Sequence, residues 1–260
     1  MSCGTRRVAG VRVRSGVLAA WTSAWLAGEA AYDDVVSRVT GDDEPHRVAG
    51  LPGSDGEVPL GWVLPVLRER SPDGIRAVLP AAGDPRGLPG PGPFGTAALT
   101  AGEAVVGRGL GLVPRITEHG SALDRTSCVL WQVYEVAEPA PDPLTVADAE
   151  YELTTATRDA ASALAVLDVA SWRPEVADGL ARMRRGVTPD LPPGHDSRAV
   201  RLLATADRLA AVLDLARADA PGGAVNGAEA RARDRALRPL PTAVRRARQA
   251  AYNAVPSRHR

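Results

Sequence analysis

Lysine is absent from this sequence of 260 residues, and all 31 Lys and Arg positions are arginine. A Walker A phosphate loop, a pyridoxal-phosphate Schiff base and the catalytic centre of a protein kinase each depend on a lysine side chain. The composition therefore excludes these three kinds of enzyme. A GC-rich gene is sufficient to explain the bias towards arginine, so the bias by itself indicates no function.

Cysteine is almost as scarce. The chain contains only Cys3 and Cys128, with no CxxC spacing, which excludes a cysteine-rich zinc site. Cys128 lies in an apolar run and is expected to behave as a small buried hydrophobic residue. The cluster of acidic residues and histidine at 42–46 has no recognised metal-ligand spacing, so we expect a solvated turn and no bound metal.

Aromatic residues make up 4% of the chain, and a single phenylalanine is among them. The core must therefore be built mainly from leucine, valine and alanine. Basic and acidic residues balance at 31 each, so no overall charge attracts the chain to nucleic acid or to a membrane. No signal-peptide pattern or bilayer-length apolar run is present, and we expect a cytoplasmic protein with no membrane partner.

Apolar periodicity predicts an α/β (or α+β) part over residues 1–137, in which helices cover a small mixed sheet. Apolar residues three and four positions apart predict a first helix over 15–39, capped by Ser15. This helix carries Trp21 and Trp25, which suggest a partner surface, although buried core is the commoner role for such a pair. Further helices are predicted at 60–70 and 96–106, and strands at 46–51, 74–79, 109–117 and 127–136.

The remaining residues predict an all-α helical-bundle domain over 145–260, joined through a proline-rich linker at 138–144. Thr145 and Asp148 have the spacing of a capping box at the start of its first helix. A shorter helix is expected to begin at Pro174. Leucine and alanine seams over 149–167 and 202–216 predict two long helices that pack as an antiparallel pair.

The main candidate for a ligand site is the glycine- and proline-rich loop at 83–95, between a predicted strand and a predicted helix. Such loops can present backbone N–H groups to an anion. Its candidate ligand-binding residues are Asp84, Arg86, Gly87, Gly90, Gly92 and Gly95. However, four of its residues are prolines without an N–H group, and the glycines miss the GxGxxG spacing. A rigid structural connection is therefore the alternative.

Two histidines are candidates for a catalytic group. His119 lies between Glu118 and Gly120 at a predicted strand end, where it could act as a base, and we include it among the candidate ligand-binding residues. A histidine in a surface turn more often has no such role. His195 precedes Asp196, which is expected to cap the following helix. The sequence therefore identifies no catalytic residue, and no cofactor.

Arginines dominate the end of the chain. Residues 229–260 contain nine arginines but one Glu and one Asp, and five of these arginines are candidates for contact with a partner or with nucleic acid: Arg231, Arg235, Arg238, Arg245 and Arg248. Residues 1–145 carry 13 basic and 17 acidic side chains, whereas 146–260 carry 18 and 14. This asymmetry equally favours docking of the two parts on each other.

The element order around Gly109-Leu110-Gly111-Leu112-Val113-Pro114 resembles the second half of a GNAT-type N-acyltransferase over about 80 residues. That resemblance would imply acyl transfer from acyl-CoA. The segment at 51–56, in the place of the family's pyrophosphate loop, does not match its motif, and Gly107 stands where the family usually has its tyrosine acid.

Taken together, these features favour a non-catalytic cytoplasmic protein that binds a protein partner or a small ligand through the Gly/Pro loop and an arginine-rich helical face. A small-molecule enzyme of GNAT-like architecture is the alternative. Nucleic-acid binding through the C-terminal arginines is the third hypothesis. The sequence does not identify the oligomeric state.

Overall fold

The computed structural model describes residues 12–121, 124–137, 144–166, 189–218 and 227–254. Cys3, most of the predicted linker at 138–144 and the helix predicted to begin at Pro174 lie outside the described residues. Within the described ranges no helix is both long and apolar enough to cross a membrane.

Eight α-helices and six strands make up the regular structure of the described residues. The helices are α1 (Arg14–Leu26), α2 (Tyr32–Thr40), α3 (Val63–Arg70), α4 (Pro93–Ala101), α5 (Val146–Val166), α6 (Ser197–Ala218), α7 (Gly227–Leu237) and α8 (Pro239–Tyr252). The strands are β1 (Arg47–Ala49), β2 (Val58–Pro59), β3 (Arg76–Val78), β4 (Ala104–Val106), β5 (Leu110–Ser121) and β6 (Asp124–Glu135), and a 3-10 turn (Leu60–Trp62) precedes α3.

The six strands form one mixed sheet in the order β2-β1-β6-β5-β4-β3. Only the β1–β6 pair is parallel, and a long β5–β6 hairpin lies at the centre. Because side chains alternate between the faces of a strand, the sheet has two apolar layers. The larger surrounds α1 and includes Ala77, Leu112 and Trp131, while the smaller contains Val78 and Val113 beneath Phe94 of α4. The predicted fold class, a mixed sheet with covering helices followed by a helical part, is confirmed.

The helix predicted over 15–39 is in fact two helices, α1 and α2. Gly28 adopts a positive φ of 78° in the turn between them, a conformation that ends an α-helix and that glycine tolerates best. The prediction failed because the apolar spacing continues across the break. Trp21 is buried, as expected for core, whereas Trp25 is only partly buried.

The helix predicted over 96–106 also ends early. Its last residue is Ala101, Gly102 follows in the left-handed conformation, and residues 104–106 form strand β4. Gly102 thus acts as a helix stop, and the β-branched Val105 and Val106 suit the strand that follows.

The two long helices of the C-terminal part do not pack mainly on each other, contrary to the prediction. Both α5 and α6 pack chiefly against α8, and their mutual contact is smaller. The capping-box prediction at the start of α5 is confirmed, because Asp148 N–H donates to Thr145 Oγ1 at 3.1 Å. Asp196 caps α6 as predicted, accepting a hydrogen bond from Ala199 N–H at 2.8 Å.

Helix α8 connects the helical part to the sheet by covering the outer edge of β3. Asn253 binds both the N–H and the C=O of Ala77 at 2.8 Å, and Gln249 accepts from Leu79 N–H at 2.8 Å. Arg245 Nη1 donates to Leu79 O at 2.6 Å. A helix rises about 6 Å over four residues, and a strand rises about 6.6 Å over two residues. Side chains four residues apart on α8 can therefore reach every second residue along the edge of β3.

Candidate functional site

The Gly/Pro loop lies between the end of β3 and the start of α4, as predicted, but it ends at Gly92, because α4 begins at Pro93 and not at residue 96. Pro93 is the first residue of α4, a position that proline favours because its missing N–H is not needed there. Exposed residues at 82–83, 85–86 and 90–92 line the outer side of the loop. The loop therefore joins the sheet to a covering helix and is open to solvent.

Asp84 at the base of this loop is the centre of a cluster of three arginines. Its carboxylate accepts hydrogen bonds from Arg245 Nη2 at 2.6 Å, Arg86 Nε at 2.9 Å and Arg246 Nε at 3.3 Å. Arg246 also reaches Glu152 of α5 at 3.0 Å. One carboxylate of the loop thus ties together the N-terminal part and two helices of the C-terminal part.

The electrostatics of this cluster keep Asp84 ionised. Partial burial alone would raise the pKa of Asp84, but the hydrogen bonds from Arg245 and Arg86 outweigh that effect and hold its pKa below the ordinary value. Arg86 keeps 52% of its side chain exposed, whereas Arg245 keeps 18%. Arg86 is therefore the member of the cluster that an external ligand reaches most easily.

The glycines of the loop have different roles. Gly87 has a φ of 84°, and a Cβ there would lie 2.7 Å from Val78 Cγ1, so the position requires glycine for packing. Gly90 and Gly92 have positive φ angles and open space around them. Gly95 lies inside α4 against Gly90 O and is buried. Of the predicted glycines, Gly90 and Gly92 are thus free to approach a ligand.

A small cleft lies elsewhere, where β3, the start of α5 and the end of α8 meet. Its volume is about 180 Å³, and its lining includes Arg76, Thr145 and Asn253. Ligand pockets for small molecules commonly measure about 300–1,000 Å³. The cleft does not include the predicted loop residues.

His119 does not join the loop cluster. It lies on the exposed end of the β5–β6 hairpin, opposite Thr126. The strand registers place its backbone about 19 Å from Leu79, from spacings of about 4.8 Å per strand and 3.3 Å per residue. No hydrogen bond or ion pair connects its side chain to the described part of the loop.

The five candidate arginines separate into two groups. Arg231, Arg235 and Arg238 are exposed on and just after α7 and make no ion pair with described residues. Arg245 and Arg248 are partly buried, and Arg248 donates to Asp207 of α6 at 2.7 Å. Arg245 therefore fits the alternative in which the two parts dock through opposite charges, because it pairs with Asp84. Contact with a partner or with nucleic acid stays a prediction for all five arginines.

A buried polar network in the N-terminal part was not predicted. His46 accepts a hydrogen bond at Nδ1 from Trp131 Nε1, and its Nε2 pairs with Asp43 Oδ2, both at 3.2 Å. Asp43 in turn accepts two hydrogen bonds from Arg14, at 2.6 and 2.8 Å. Of the residues expected in a solvated turn, Asp42, Glu44 and Pro45 are exposed, whereas His46 is buried and Asp43 is partly buried. The only signal in the sequence is a histidine directly before an apolar strand.

The protonation states follow from this geometry. Burial lowers the pKa of His46 despite the neighbouring carboxylate of Asp43, so the imidazole is neutral near pH 7. Burial would raise the pKa of Asp43, but the hydrogen bonds from Arg14 dominate and lower it. The network is therefore an ion pair joined to a neutral histidine, and both histidine nitrogens already have partners.

A second buried carboxylate supports the start of α1. Ser15 N–H donates to Glu103 Oε2 at 2.8 Å, and burial raises the pKa of Glu103. The predicted capping of α1 by the Ser15 side chain is therefore wrong, because Val13 occupies the N-cap position and a distant carboxylate satisfies the helix N–H. A carboxylate suits this end of a helix dipole.

The expectation that Cys128 is a buried hydrophobic residue is also wrong. Its side chain is partly exposed, and the thiol donates to Glu44 Oε2 at 2.8 Å. The hydrogen bond to Glu44 raises the pKa of the Cys128 thiol, which disfavours the nucleophilic thiolate.

Comparison with known proteins places both parts of the chain in one family. Residues 15–146 match the "Rv1486c-like protein, N-terminal domain" and residues 147–249 the "Rv1486c-like protein, C-terminal domain". The chain is 35% identical to uncharacterized protein Rv1486c of Mycobacterium tuberculosis and 31% identical to uncharacterized protein ML1804 of Mycobacterium leprae. Each match covers 92% of this chain and 95% of the relative. No solved structure matches. The chain therefore belongs to the Rv1486c-like family.

Proposed function

We propose that this protein is a non-catalytic cytoplasmic binding protein that contacts a partner protein through the Gly/Pro loop and the arginines beside it. The observation that carries the proposal is the convergence of Arg86, Arg245 and Arg246 on Asp84. The loop and the C-terminal arginines are separate candidate surfaces in the sequence. Their convergence supports a single surface.

The charges of this surface favour an acidic partner. Three guanidinium groups meet two carboxylates, those of Asp84 and Glu152, so positive charge is in excess. Guanidinium groups bind carboxylates with good geometry, and Arg86 is exposed enough to do so. A protein segment suits the site better than a small molecule, because the described cleft lies at another place and is small.

The surroundings of the reactive side chains support binding over catalysis. His46 is held neutral between Trp131 and Asp43, and the Cys128 thiol is hydrogen-bonded to Glu44. Gly107, at the place of the acid in the GNAT resemblance, has no side chain and lies buried against Ser71. No specific observation favours the enzymatic or nucleic-acid alternatives.

The proposal can be tested with Arg86→Ala and a fluorescein-labelled decapeptide of alternating glutamate and glycine. Fluorescence polarisation at low salt should show binding to the wild type, a loss of at least fivefold in Arg86→Ala, and no binding of a serine–glycine decapeptide. Arg115→Ala, which removes an exposed arginine from the β5–β6 hairpin, is the matched control and should bind normally.

Three results would overturn the proposal. The first is no binding of the acidic peptide by the wild type. The second is equal loss in the Arg86→Ala and Arg115→Ala variants. The third is tighter binding of a single-stranded DNA decamer than of the peptide, which would favour the nucleic-acid hypothesis instead.

A further inference from the structure

Trp62 and Tyr32 are exposed large hydrophobic side chains. Their exposed fractions are 59% and 40%, in a chain with only five tryptophans, four tyrosines and one phenylalanine. Trp25, which is partly buried, contacts Tyr32, and Arg68 stacks on Trp25. We call the surface formed by Trp25, Tyr32, Trp62 and Arg68 the aromatic corner.

The aromatic corner is held in place by specific contacts. The guanidinium carbon of Arg68 lies 4.8 Å from the centre of the Trp25 ring, and the rings of Trp25 and Tyr32 meet edge to face at 6.3 Å and 70°. The Tyr32 hydroxyl occupies the space that a Cβ would need on Gly61, so this glycine lets the ring lie against the chain directly before Trp62. The end of α1, the start of α2 and the 3-10 turn thus build one preformed surface.

The chemistry of this surface differs from that of the core. Trp21, one helical turn before Trp25, is buried and lies under Arg38, whose guanidinium carbon is 5.2 Å from its ring centre. Exposed tryptophan, tyrosine and arginine are the side chains that most often dominate binding at protein interfaces. The aromatic corner therefore has the composition of a contact surface.

Three carboxylates lie close to Trp25 and Tyr32 along the chain. Glu29 lies in the turn between Trp25 and Tyr32, while Asp33 and Asp34 follow Tyr32 in the first turn of α2. All three side chains are exposed, and none forms an ion pair with a described residue. Acidic groups beside open aromatic rings attract a cation, which gains both charge pairing and a cation–π contact.

From this complementarity we propose that the aromatic corner docks a segment of another protein that presents an arginine or lysine next to an apolar side chain. The cation pairs with the carboxylates or stacks on Trp62, and the apolar side chain covers the exposed rings. Tyr32 and Trp62 are the anchors, and Asp33 and Asp34 select the charge.

This surface is independent of the Gly/Pro loop. Gly74, at the start of the β3 region, lies beside Ser23 of α1, whereas the loop follows Leu79 at the other end of the strand. The loop cluster selects an acidic partner and the aromatic corner a basic one. Each proposal can therefore fail without the other.

The test uses fluorescence polarisation of a labelled dodecapeptide containing three arginines and three leucines among serine and glycine. Trp62→Ala should weaken its binding at least tenfold, and the combined Asp33→Asn and Asp34→Asn variant should weaken it and reduce its dependence on salt. Tyr151→Ala is the matched control, because it removes an aromatic side chain that is 73% exposed on α5. It should leave binding unchanged, and so should Arg86→Ala.

Several results would overturn the proposal. These are absence of binding to the wild type, equal binding of a dodecapeptide with glutamate in place of arginine, and equal loss in Trp62→Ala and Tyr151→Ala. A fourth is a concentration-dependent dimer in sedimentation that Trp62→Ala abolishes, since a second copy of the chain would then be the occupant. Melting curves of each variant separate loss of binding from loss of folding.

Discussion

The two ends of strand β3 show opposite uses of polar and aromatic side chains. At its far end, the junction with α8, Arg245 and Gln249 bind the backbone of Leu79, the residue that follows β3, and the carboxylate of Asp84 pairs with the arginines. Near its start, the aromatic corner leaves Trp62 and Tyr32 in solvent. The contrast teaches that Arg245, one of the arginines singled out in the sequence, helps to hold the two parts together, while aromatic side chains stay exposed to solvent.

The junction also solves a problem that every open sheet has. An edge strand presents unpaired N–H and C=O groups, which can pair with another chain. Here the amides of Gln249 and Asn253 satisfy the edge of β3 from a helix about 170 residues later in the chain. This contact makes the C-terminal part a cover for the sheet.

The largest effect is expected at the junction, from Gln249→Ala. The substitution leaves the buried N–H of Leu79 without its acceptor, which should lower the free energy of unfolding by about 2–3 kcal/mol. Urea denaturation measures this loss. Gln132→Ala, whose two hydrogen bonds are long at 3.3 and 3.4 Å, is the matched control and should lose less than about 1 kcal/mol. Equal losses would show that the hydrogen bond between Gln249 and Leu79 does not contribute more to stability than those of Gln132.

A smaller effect is expected from Arg245→Ala, about 1–2 kcal/mol at pH 7, because this residue binds both Leu79 O and Asp84. The lowered pKa of Asp84 means that its ion pair stabilises the fold above the unfolded pKa of about 3.9 and that this contribution disappears as the pH falls through the folded pKa. The difference between wild type and variant should therefore shrink at pH 3. A difference that stays constant between pH 7 and pH 3 would exclude the ion pair as its source.

The buried His46 network should make the stability of the protein depend on pH. Because the pKa of His46 is lowered in the folded state, the unfolded chain binds more protons below its unfolded pKa of about 6.5. The contribution of His46 to stability should therefore fall between pH 7 and pH 5. His195, whose pKa burial also lowers, contributes in the same direction. Denaturation of His46→Asn and His195→Asn at both pH values should give shallower slopes than the wild type, and an unchanged slope in both would contradict the assignment.

The smallest effect on stability is expected at the aromatic corner. Trp62→Ala removes a side chain that is mostly in solvent, so the free energy of unfolding should change by no more than about 0.5 kcal/mol. The same variant should lose peptide binding. Gln249→Ala, in contrast, should lose stability. A destabilisation of more than about 2 kcal/mol would identify Trp62 as a structural residue. The aromatic corner would then not differ from the junction with α8 in its role.

Much of the fold could be predicted because it depends on local periodicity. The alternation from Val129 to Glu135 predicted β6, and Thr145 with Asp148 predicted the start of α5. The breaks at Gly28 and Gly102 were missed, since a glycine interrupts a helix only where the rest of the fold turns the chain there. The division at 138–144 into two domains stays a prediction.

The candidate site was predictable in its residue types but not in its connections. Asp84 and Arg245 were singled out separately, and neither pattern indicates that they meet across 161 residues. His46 was predicted to lie in a solvated turn and Glu103 was not singled out, because a lone histidine or glutamate has no periodicity and acquires its partner only by burial. Trp25 was predicted to lie in the core because its spacing fits the same apolar stripe as Trp21; it does pack against the core, but it is only partly buried.

The sequence by itself determined the elements: which segments alternate with a period of two, which repeat every three to four residues, and that no lysine chemistry is available. The tertiary structure decided which polar groups became partners and which rings stayed in solvent. The physical reason is that secondary structure follows from neighbours along the chain, whereas ion pairs, buried hydrogen bonds and exposure depend on distances between residues that only the packed fold brings together. That packing brings Arg245 to the carbonyl of Leu79 and leaves the side chain of Trp62 exposed to solvent.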